Sequence, residues 1–362
     1  MTFLFYFGHP AQYLAMRETI RCLSEKKNNR VIVLIKSKDI LEELIRTDGI
    51  PYTNILPKQR GKTRLSIVLS LLKRIAVMLP IFWREKPDLL IGTDAALAQL
   101  GRLLGVDCVT IIEDDYAVIE NLAQLTYPFT QTILCPAVCD VGNWQAKKVG
   151  YPGYMKLGYL HPAVFSADGT VLKKYSLAKN YVLVRLSKLA AHHDTGIRGI
   201  SEALLDEIIE EVTQRRGYSL WITSEGQIDQ KYQAYKLQIN PADLHHVLAG
   251  AVMLISDSQS MSVEAAILGV PSIRYSDFVG KISVLNELED TYHLTVGIAI
   301  QDSHRLLPTM NNILDIDNLS NVFLTRKQVM LNDKINVTPF FVWFFENYPT
   351  SKQAIKEGKA FA

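Results

Sequence analysis

A hydroxyl-rich turn within residues 252–274 is the part of the sequence best suited to bind a phosphate. The segment reads VMLISDSQSMSVEAAILGVPSIR: an apolar strand, a polar turn, a helical run, a glycine stop and a second strand. The N–H groups that open such a helix lack partners within it and attract phosphate. We expect the phosphate ligands to be Ser258, Gln259, Ser260 and Met261.

Glu264 lies one helical turn further on, where its carboxylate can accept two hydrogen bonds from a ribose diol. A capping box would require Ser or Thr three residues before the glutamate, and that position is Met261. The segment therefore predicts a nucleotide or sugar-phosphate site. The alternative is a capped helix in an ordinary α/β protein.

Ionisable side chains follow several predicted strands. Carboxylates and histidine suit proton transfer to or from a hydroxyl, and an arginine suits a diphosphate. The catalytic candidates are His9, Asp94, Glu113, Asp115, Glu120 and His193, and further nucleotide-binding candidates are Arg185, Ser224 and Glu225. Each of them alone is as typical of a solvated surface or a helix cap as of an active site, and only the set as a whole favours function.

Strands and helices alternate in both halves of the chain, which favours an α/β fold of two Rossmann-like, doubly wound parallel sheets. Such domains would face each other across a cleft and bind ligands beyond the carboxyl ends of their strands. The predicted bounds are 1–160 for the first domain, 175–335 for the nucleotide-binding domain and 336–362 for a C-terminal helix that packs back on the first. The predicted strands cover 3–7, 31–35, 52–56, 89–91, 108–112, 132–134, 181–185, 220–223 and 252–255.

Composition excludes several other classes of protein. A chain of 362 residues with 48% hydrophobic and 21% charged residues can form a large core, and a formal charge of +2 gives no case for nucleic acid. Four scattered cysteines make no disulfide framework and suit a reducing cytoplasm.

The apolar stretch 65–83 carries Lys73 and Arg74 at its middle, which argues against a transmembrane helix. The segment 58–84 can form a membrane-surface helix, although a helix packed on a sheet is the favoured interpretation.

Two short motifs are discounted, and no metal or cofactor is predicted. Gly61-Lys62-Thr63 lacks the first glycine of a phosphate-binding loop, and Asp315-Ile316-Asp317 lies in a polar connector. No GxGxxG follows the first strand, which argues against nicotinamide and flavin.

The run SDSQSMSVEAAILGVPSI resembles the donor-nucleotide segment of the two-Rossmann (GT-B) superfamily, which includes the non-hydrolysing UDP-GlcNAc 2-epimerases and the peptidoglycan GlcNAc transferase. FGHPAQYLAM resembles the glycine-His turn of the transferases, and Asp94, Glu113, Glu120 and His193 follow the order of the epimerases' acidic and histidine residues. The whole chain looks most similar to a GT-B-like family known as a domain of unknown function. Gln259-Ser260 stands where the epimerases have Gly-Gly, and Gly8-His9-Pro10 where they have a basic turn, which counts against epimerase chemistry.

This resemblance implies a metal-independent glycosyltransferase of surface polysaccharide or glycoconjugate synthesis, using UDP or a similar nucleotide-sugar. The acceptor would be a glycan or a lipid-linked molecule, and His9 or a carboxylate of the first domain would activate its hydroxyl. Two alternatives stay open: an epimerase that uses Asp94, Glu113, Glu120 and His193 for proton transfer, and a non-catalytic nucleotide-sugar-binding protein.

Overall fold

The computed structural model describes residues 1–36, 40–56, 64–177, 180–186, 199–224, 226–359 and 361. They form two compact units. Unit 1 comprises Met1–Val164 and Lys334–Ala362, and unit 2 comprises Phe165–Asp333.

Unit 1 contains a parallel sheet of seven strands in the order β3-β2-β1-β4-β5-β6-β7. The strands are β1 (Thr2–Phe7), β2 (Arg30–Lys36), β3 (Thr53–Leu56), β4 (Leu89–Gly92), β5 (Cys108–Ile111), β6 (Thr132–Pro136) and β7 (Lys148–Tyr151). Most of their residues are apolar and buried on both faces, as expected when helices cover a parallel sheet.

Helices connect these strands and begin or end at residues that suit those positions. The helices of unit 1 are α1 (Pro10–Glu25), α2 (Leu41–Thr47), α3 (Arg64–Glu85), α4 (Ala95–Leu104), α5 (Tyr116–Thr126), α6 (Leu157–Leu160), α14 (Val337–Glu346) and α15 (Thr350–Lys356). Asp94 caps α4 and Gly105 ends it with a φ of 72°, which favours glycine. None of the described helices is long and apolar enough to cross a membrane.

The aromatic helix α14 packs inside unit 1. The ring of Phe345 lies edge-on to Phe5 of β1, with centroids 6.0 Å apart, and Phe341 meets Tyr151 of β7 at 5.1 Å. Glu346 at its end binds Lys26 at 2.6 Å. The aromatic run near the end of the chain therefore completes the core of unit 1.

Unit 2 contains a parallel sheet of five strands in the order β12-β11-β10-β8-β9. Its strands are β8 (Tyr181–Leu186), β9 (Ser219–Ser224), β10 (Met253–Ser256), β11 (Ser272–Tyr275) and β12 (Thr295–Ile298). Its helices are α7 (Gly169–Lys174), α8 (Glu202–Glu210), α9 (Leu244–Ala249), α10 (Gln259–Leu268), α11 (Ser283–Asp290), α12 (Leu306–Leu314) and α13 (Leu319–Asp333). The fold class predicted from the sequence, two parallel-sheet α/β domains, is confirmed.

Unit 2 begins ten residues before the predicted bound of 175, because α7 and its flanks bind side chains of that unit. The N–H of Asp168 donates to Nδ1 of His246 at 3.0 Å, and Lys174 and Tyr175 both bind Asp243, at 2.7 and 2.6 Å.

Candidate functional site

Three candidate side chains of unit 1 follow neighbouring strands at one edge of its sheet. His9 follows β1, Asp94 follows β4 and Glu113 follows β5, and these strands are adjacent. The strand order reverses between β1 and β4, and open α/β sheets bind ligands beyond the carboxyl ends of their strands at such a switch point. These residues therefore lie at the edge where a ligand is expected.

His9 caps helix α1 through its ring. Nδ1 accepts a hydrogen bond from the N–H of Ala11 at 3.2 Å, and Pro10 occupies the first helical position. A neutral imidazole that accepts at Nδ1 carries its proton on Nε2. The exposed ring is thus oriented as a donor at Nε2, and it can act as a base there only after it gives up the cap.

Asp94 binds two basic side chains that sequence analysis did not select. Its Oδ1 accepts from the N–H of Ala96 at 2.8 Å, while its Oδ2 pairs with Arg74 and lies 4.0 Å from Nζ of Lys36. Arg74 comes from α3 and is buried, and the stem of Lys36 lies directly against Gly8. Arg74 and Lys36 bring basic groups to the switch point, which suits an anionic group.

Glu113 is buried and has partners at both carboxylate oxygens. Oε1 accepts from the N–H of Met155 at 2.6 Å, and Oε2 pairs with Nζ of Lys156. Its carbonyl oxygen accepts from the thiol of Cys139 at 3.0 Å. Glu113 is therefore better placed to hold Lys156 at the carboxyl end of β5 than to accept a proton.

The other two acidic candidates of unit 1 differ in their surroundings. Asp115 is buried before α5 and accepts from the N–H of Asp140 at 2.6 Å, so it fastens two loops together. Glu120 lies exposed on α5 and accepts from Gln124 at 3.1 Å, as is typical of a solvated helix face.

Asp114, between Glu113 and Asp115, is a candidate that the sequence analysis missed. Burial raises the pKa of its carboxyl group; Lys156 partly offsets this shift, and the charges of its two acidic neighbours add to it. No hydrogen bond to this carboxylate is found among the described residues. A carboxylate with a raised pKa and no partner suits general-base chemistry.

In unit 2, the hydroxyl-rich turn opens helix α10. Oγ of Ser258 accepts from the N–H of Met261 at 3.4 Å, so the hydroxyl forms the cap, and Ser262 donates to the carbonyl of Ser258 at 3.1 Å. The N–H groups of Gln259 and Ser260 lie in the first turn, where no helical carbonyl faces them. These two N–H groups, rather than that of Met261, are oriented for an anion.

The side chain of Gln259 joins this turn to the loop that follows β11. Its Nε2 donates to Oγ of Ser276 at 2.7 Å, while its Oε1 is buried without a hydrogen-bond partner in the described part of the chain. A buried acceptor without a partner costs free energy, and a ligand donor would relieve that cost.

Glu264 lies on the second turn of α10 and is only 6% exposed. Its Oε2 lies 3.5 Å from Nε2 of His245 on α9, whose side chain is 15% exposed. The sequence analysis did not foresee this partner, because nothing in the spacing of the two residues connects them.

Two arginines lie in one row across the sheet of unit 2. Ser256 pairs in register with Arg185 on one side and with Arg274 on the other, and laterally paired residues point to the same face. Arg274 is fully buried; its Nη2 lies 3.6 Å from Glu289, and none of its N–H groups has a hydrogen-bond partner among the described residues. Burial lowers the pKa of Arg274. Gly297 leaves room for it, since a Cβ there would lie 2.8 Å from Nη2.

The remaining candidate residues have few described contacts. Ser224 ends β9 and accepts from the N–H of Gly226 at 3.0 Å, whereas His193 and Glu225 lie outside the described residues. No group of three His, Cys, Asp or Glu side chains within the described ranges is arranged to hold a metal ion. Asp315, from the motif discounted above, pairs with Arg216 at 2.6 Å.

Solved structures with the same fold cover nearly the whole chain. The UDP complex of MnaA from S. aureus has a TM-score of 0.68 at 14% identity and covers 98% of this chain and 97% of its own. The UDP-GlcNAc 2-epimerase from Neisseria meningitidis bound to UDP-GlcNAc has a TM-score of 0.71 at 13% identity and covers 96% and 100%. The spinosyn rhamnosyltransferase SpnG has a TM-score of 0.64 at 12% identity and covers 98% and 100%.

These likenesses show that the chain has the GT-B fold, as the resemblance of its sequence predicted. No protein-family model matches the chain, and a search of curated proteins finds no relative. The closer resemblance to a domain-of-unknown-function family stays a prediction.

Proposed function

We propose that this protein is a nucleotide-sugar enzyme of the GT-B fold and that it transfers a sugar to a hydroxyl acceptor without a metal ion. The observation that carries the proposal is the turn at the start of α10. It presents the N–H groups of Gln259 and Ser260 at the carboxyl end of β10, next to the point where the strand order of unit 2 reverses. Open α/β sheets bind ligands at such a point, and helix N-termini bind phosphate.

The donor nucleotide would bind unit 2 through three groups. The turn would hold the diphosphate, Arg185 of the adjacent strand would balance its charge, and Glu264 would accept hydrogen bonds from the ribose. The departing diphosphate then needs no metal, because helix-end amides and a guanidinium stabilise its charge. The likeness to solved structures that contain UDP supports a uridine nucleotide.

The base that activates the acceptor would be Asp114. Sugar transfer with inversion needs one base, which takes the hydroxyl proton while the acceptor oxygen bonds to the anomeric carbon and the bond to the diphosphate breaks. Asp94 and Glu113 already pair with Arg74 and Lys156. These pairs leave Asp114 as the better base, and its raised pKa supports this role.

A second candidate function is epimerisation at C2 of UDP-GlcNAc, and the neighbours named UDP-GlcNAc 2-epimerases favour it. That reaction moves a proton on the sugar itself. It would use Asp94, Glu113, Glu120 and His193 for proton transfer. Two of these carboxylates, Asp94 and Glu113, are engaged in ion pairs.

One experiment separates these functions. The protein is incubated with UDP-GlcNAc in deuterated water, with and without candidate acceptors, after a thermal-shift screen of nucleotide-sugars has confirmed binding. UDP release that depends on an acceptor supports transfer, and deuterium at C2 supports epimerisation. Binding without either product would contradict both enzymes and identify a nucleotide-sugar-binding protein.

A further inference from the structure

Helix α3 of unit 1 has an apolar face that no other part of the described residues covers. Leu69, Leu72 and Trp83 are 58, 56 and 64% exposed, and Ala76, Val77 and Pro80 between them are exposed as well. Positions 69, 72, 76, 80 and 83 recur every three or four residues, so they lie along one side of the helix, and Val77 flanks them.

The opposite side of α3 fixes this orientation. Met78 and Phe82 are buried in the core of unit 1, with Ile75 packed against them, and the buried Arg74 pairs with Asp94. Rotation of the helix to bury its outer face would expose these residues. The apolar stripe is therefore a property of the folded unit.

The segment of sequence that contains α3 is strongly basic. Residues 49–84 contain seven of the 39 basic residues of the chain and none of its 37 acidic ones, so this segment carries +7 and the rest of the chain −5 of the total of +2. Lys73 and Arg84 lie exposed on α3 beside the apolar stripe. The next acidic residue, Glu85, is buried and pairs with Arg84 and Arg30.

We propose that the outer face of α3 binds the surface of a bilayer that contains anionic lipid. An amphipathic helix with apolar residues, an exposed tryptophan and flanking cations lies in the interface, with its basic groups reaching the lipid phosphates. A second copy of this chain fits less well, because two such faces would bring like charges together. The proposal is independent of the reaction that the protein catalyses.

Co-sedimentation of the full-length protein with vesicles tests this surface. We expect binding to vesicles of phosphatidylcholine with phosphatidylglycerol, weak binding to phosphatidylcholine alone, and loss of binding as salt screens the charges. The double variant Leu72→Gln/Trp83→Gln should bind more than tenfold more weakly, since two large apolar contacts are lost. Leu103→Gln on α4 is the matched control, because Leu103 is 73% exposed in the same unit.

The contribution of charge to vesicle binding and the depth to which the helix enters the bilayer are tested separately. Lys73→Gln should weaken binding about fivefold, whereas Lys173→Gln, an exposed lysine of unit 2, should not. Brominated lipid should quench tryptophan fluorescence in the natural protein, and Trp83→Phe should abolish most of that quenching while binding persists.

Three results would overturn the proposal: no binding to anionic vesicles, equal binding by the double variant with an unchanged melting curve, or an equal loss in Leu103→Gln. A dimer that dissociates in the double variant, with no vesicle binding, would assign this face to a second copy of the chain.

Discussion

Replacing Glu264 with alanine removes a buried carboxylate from the second turn of α10. If this carboxylate holds the ribose diol, the variant loses a hydrogen bond between a charged group and a hydroxyl, which costs about 1.5–3 kcal/mol. The dissociation constant of UDP should then rise roughly tenfold to a hundredfold. Glu264→Gln should fall between, because its amide keeps one acceptor oxygen.

Stability changes too, because Oε2 of Glu264 lies 3.5 Å from His245 in a largely buried setting. Loss of the carboxylate removes this contact from a largely buried imidazole, at a cost of about 1–3 kcal/mol. A unit of this size loses about 2–4 °C of melting temperature per kcal/mol. His245→Gln removes the same pair from the other side and leaves the carboxylate in place, so it is the matched control.

Calorimetric titration of UDP, together with melting curves, separates ligand binding from packing. A ribose-binding role predicts lower melting temperatures for Glu264→Ala and His245→Gln, with a large loss of affinity only in Glu264→Ala. Unchanged affinity in Glu264→Ala would refute the ribose assignment. Equal loss of affinity in both variants would assign the effect to the pair rather than to the carboxylate.

Three further predictions concern the base, the metal and the buried arginine. Asp114→Asn should lower kcat by about 10²–10⁴; activity of the natural protein should fall as pH decreases through the raised pKa of Asp114. The pKa of Asp114 is higher in the folded state, so ionisation of Asp114 costs stability as pH rises through that pKa. Thermal melts at neutral pH should therefore show that Asp114→Asn is more stable than the natural protein. A variant that keeps its activity, or one that is destabilised, would refute the assignment of Asp114 as the base. UDP binding and turnover should survive EDTA; loss restored by Mg²⁺ or Mn²⁺ would contradict the metal-free proposal. Glu289→Gln should destabilise by about 1–3 kcal/mol in urea titrations because it leaves Arg274 unpaired, whereas Arg274→Met should be nearly neutral, and the opposite order would be inconsistent with a costly buried cation.

Much of the fold could be predicted because the strands and helices differ in hydrophobic period. The structure places β1 at Thr2–Phe7, where 3–7 was expected, and β5 at Cys108–Ile111, where 108–112 was expected. Strand β7, Lys148–Tyr151, was missed because it is short and lies among glycines and prolines, so no alternating pattern marks it.

The candidate site was harder to predict, because its pairs join residues far apart in the chain. Arg74 argued against a membrane span in the sequence, but nothing there shows that its side chain turns inward to Asp94, twenty residues later. Lys156 meets Glu113 across 43 residues for the same reason. Strand ends can be found from local patterns, whereas the partners that occupy a carboxylate depend on how the sheet is ordered.

The path of the chain through the two units sets an order in which they can fold on the ribosome. Unit 2 is one continuous stretch, but unit 1 also needs Lys334–Ala362, which is synthesised after all of unit 2. Until then, Phe5 of the central strand β1 lacks Phe345, its partner from α14. We therefore expect the nascent chain to complete unit 2 first and to carry unit 1 with an apolar surface open to chaperones or aggregation until its last helices emerge.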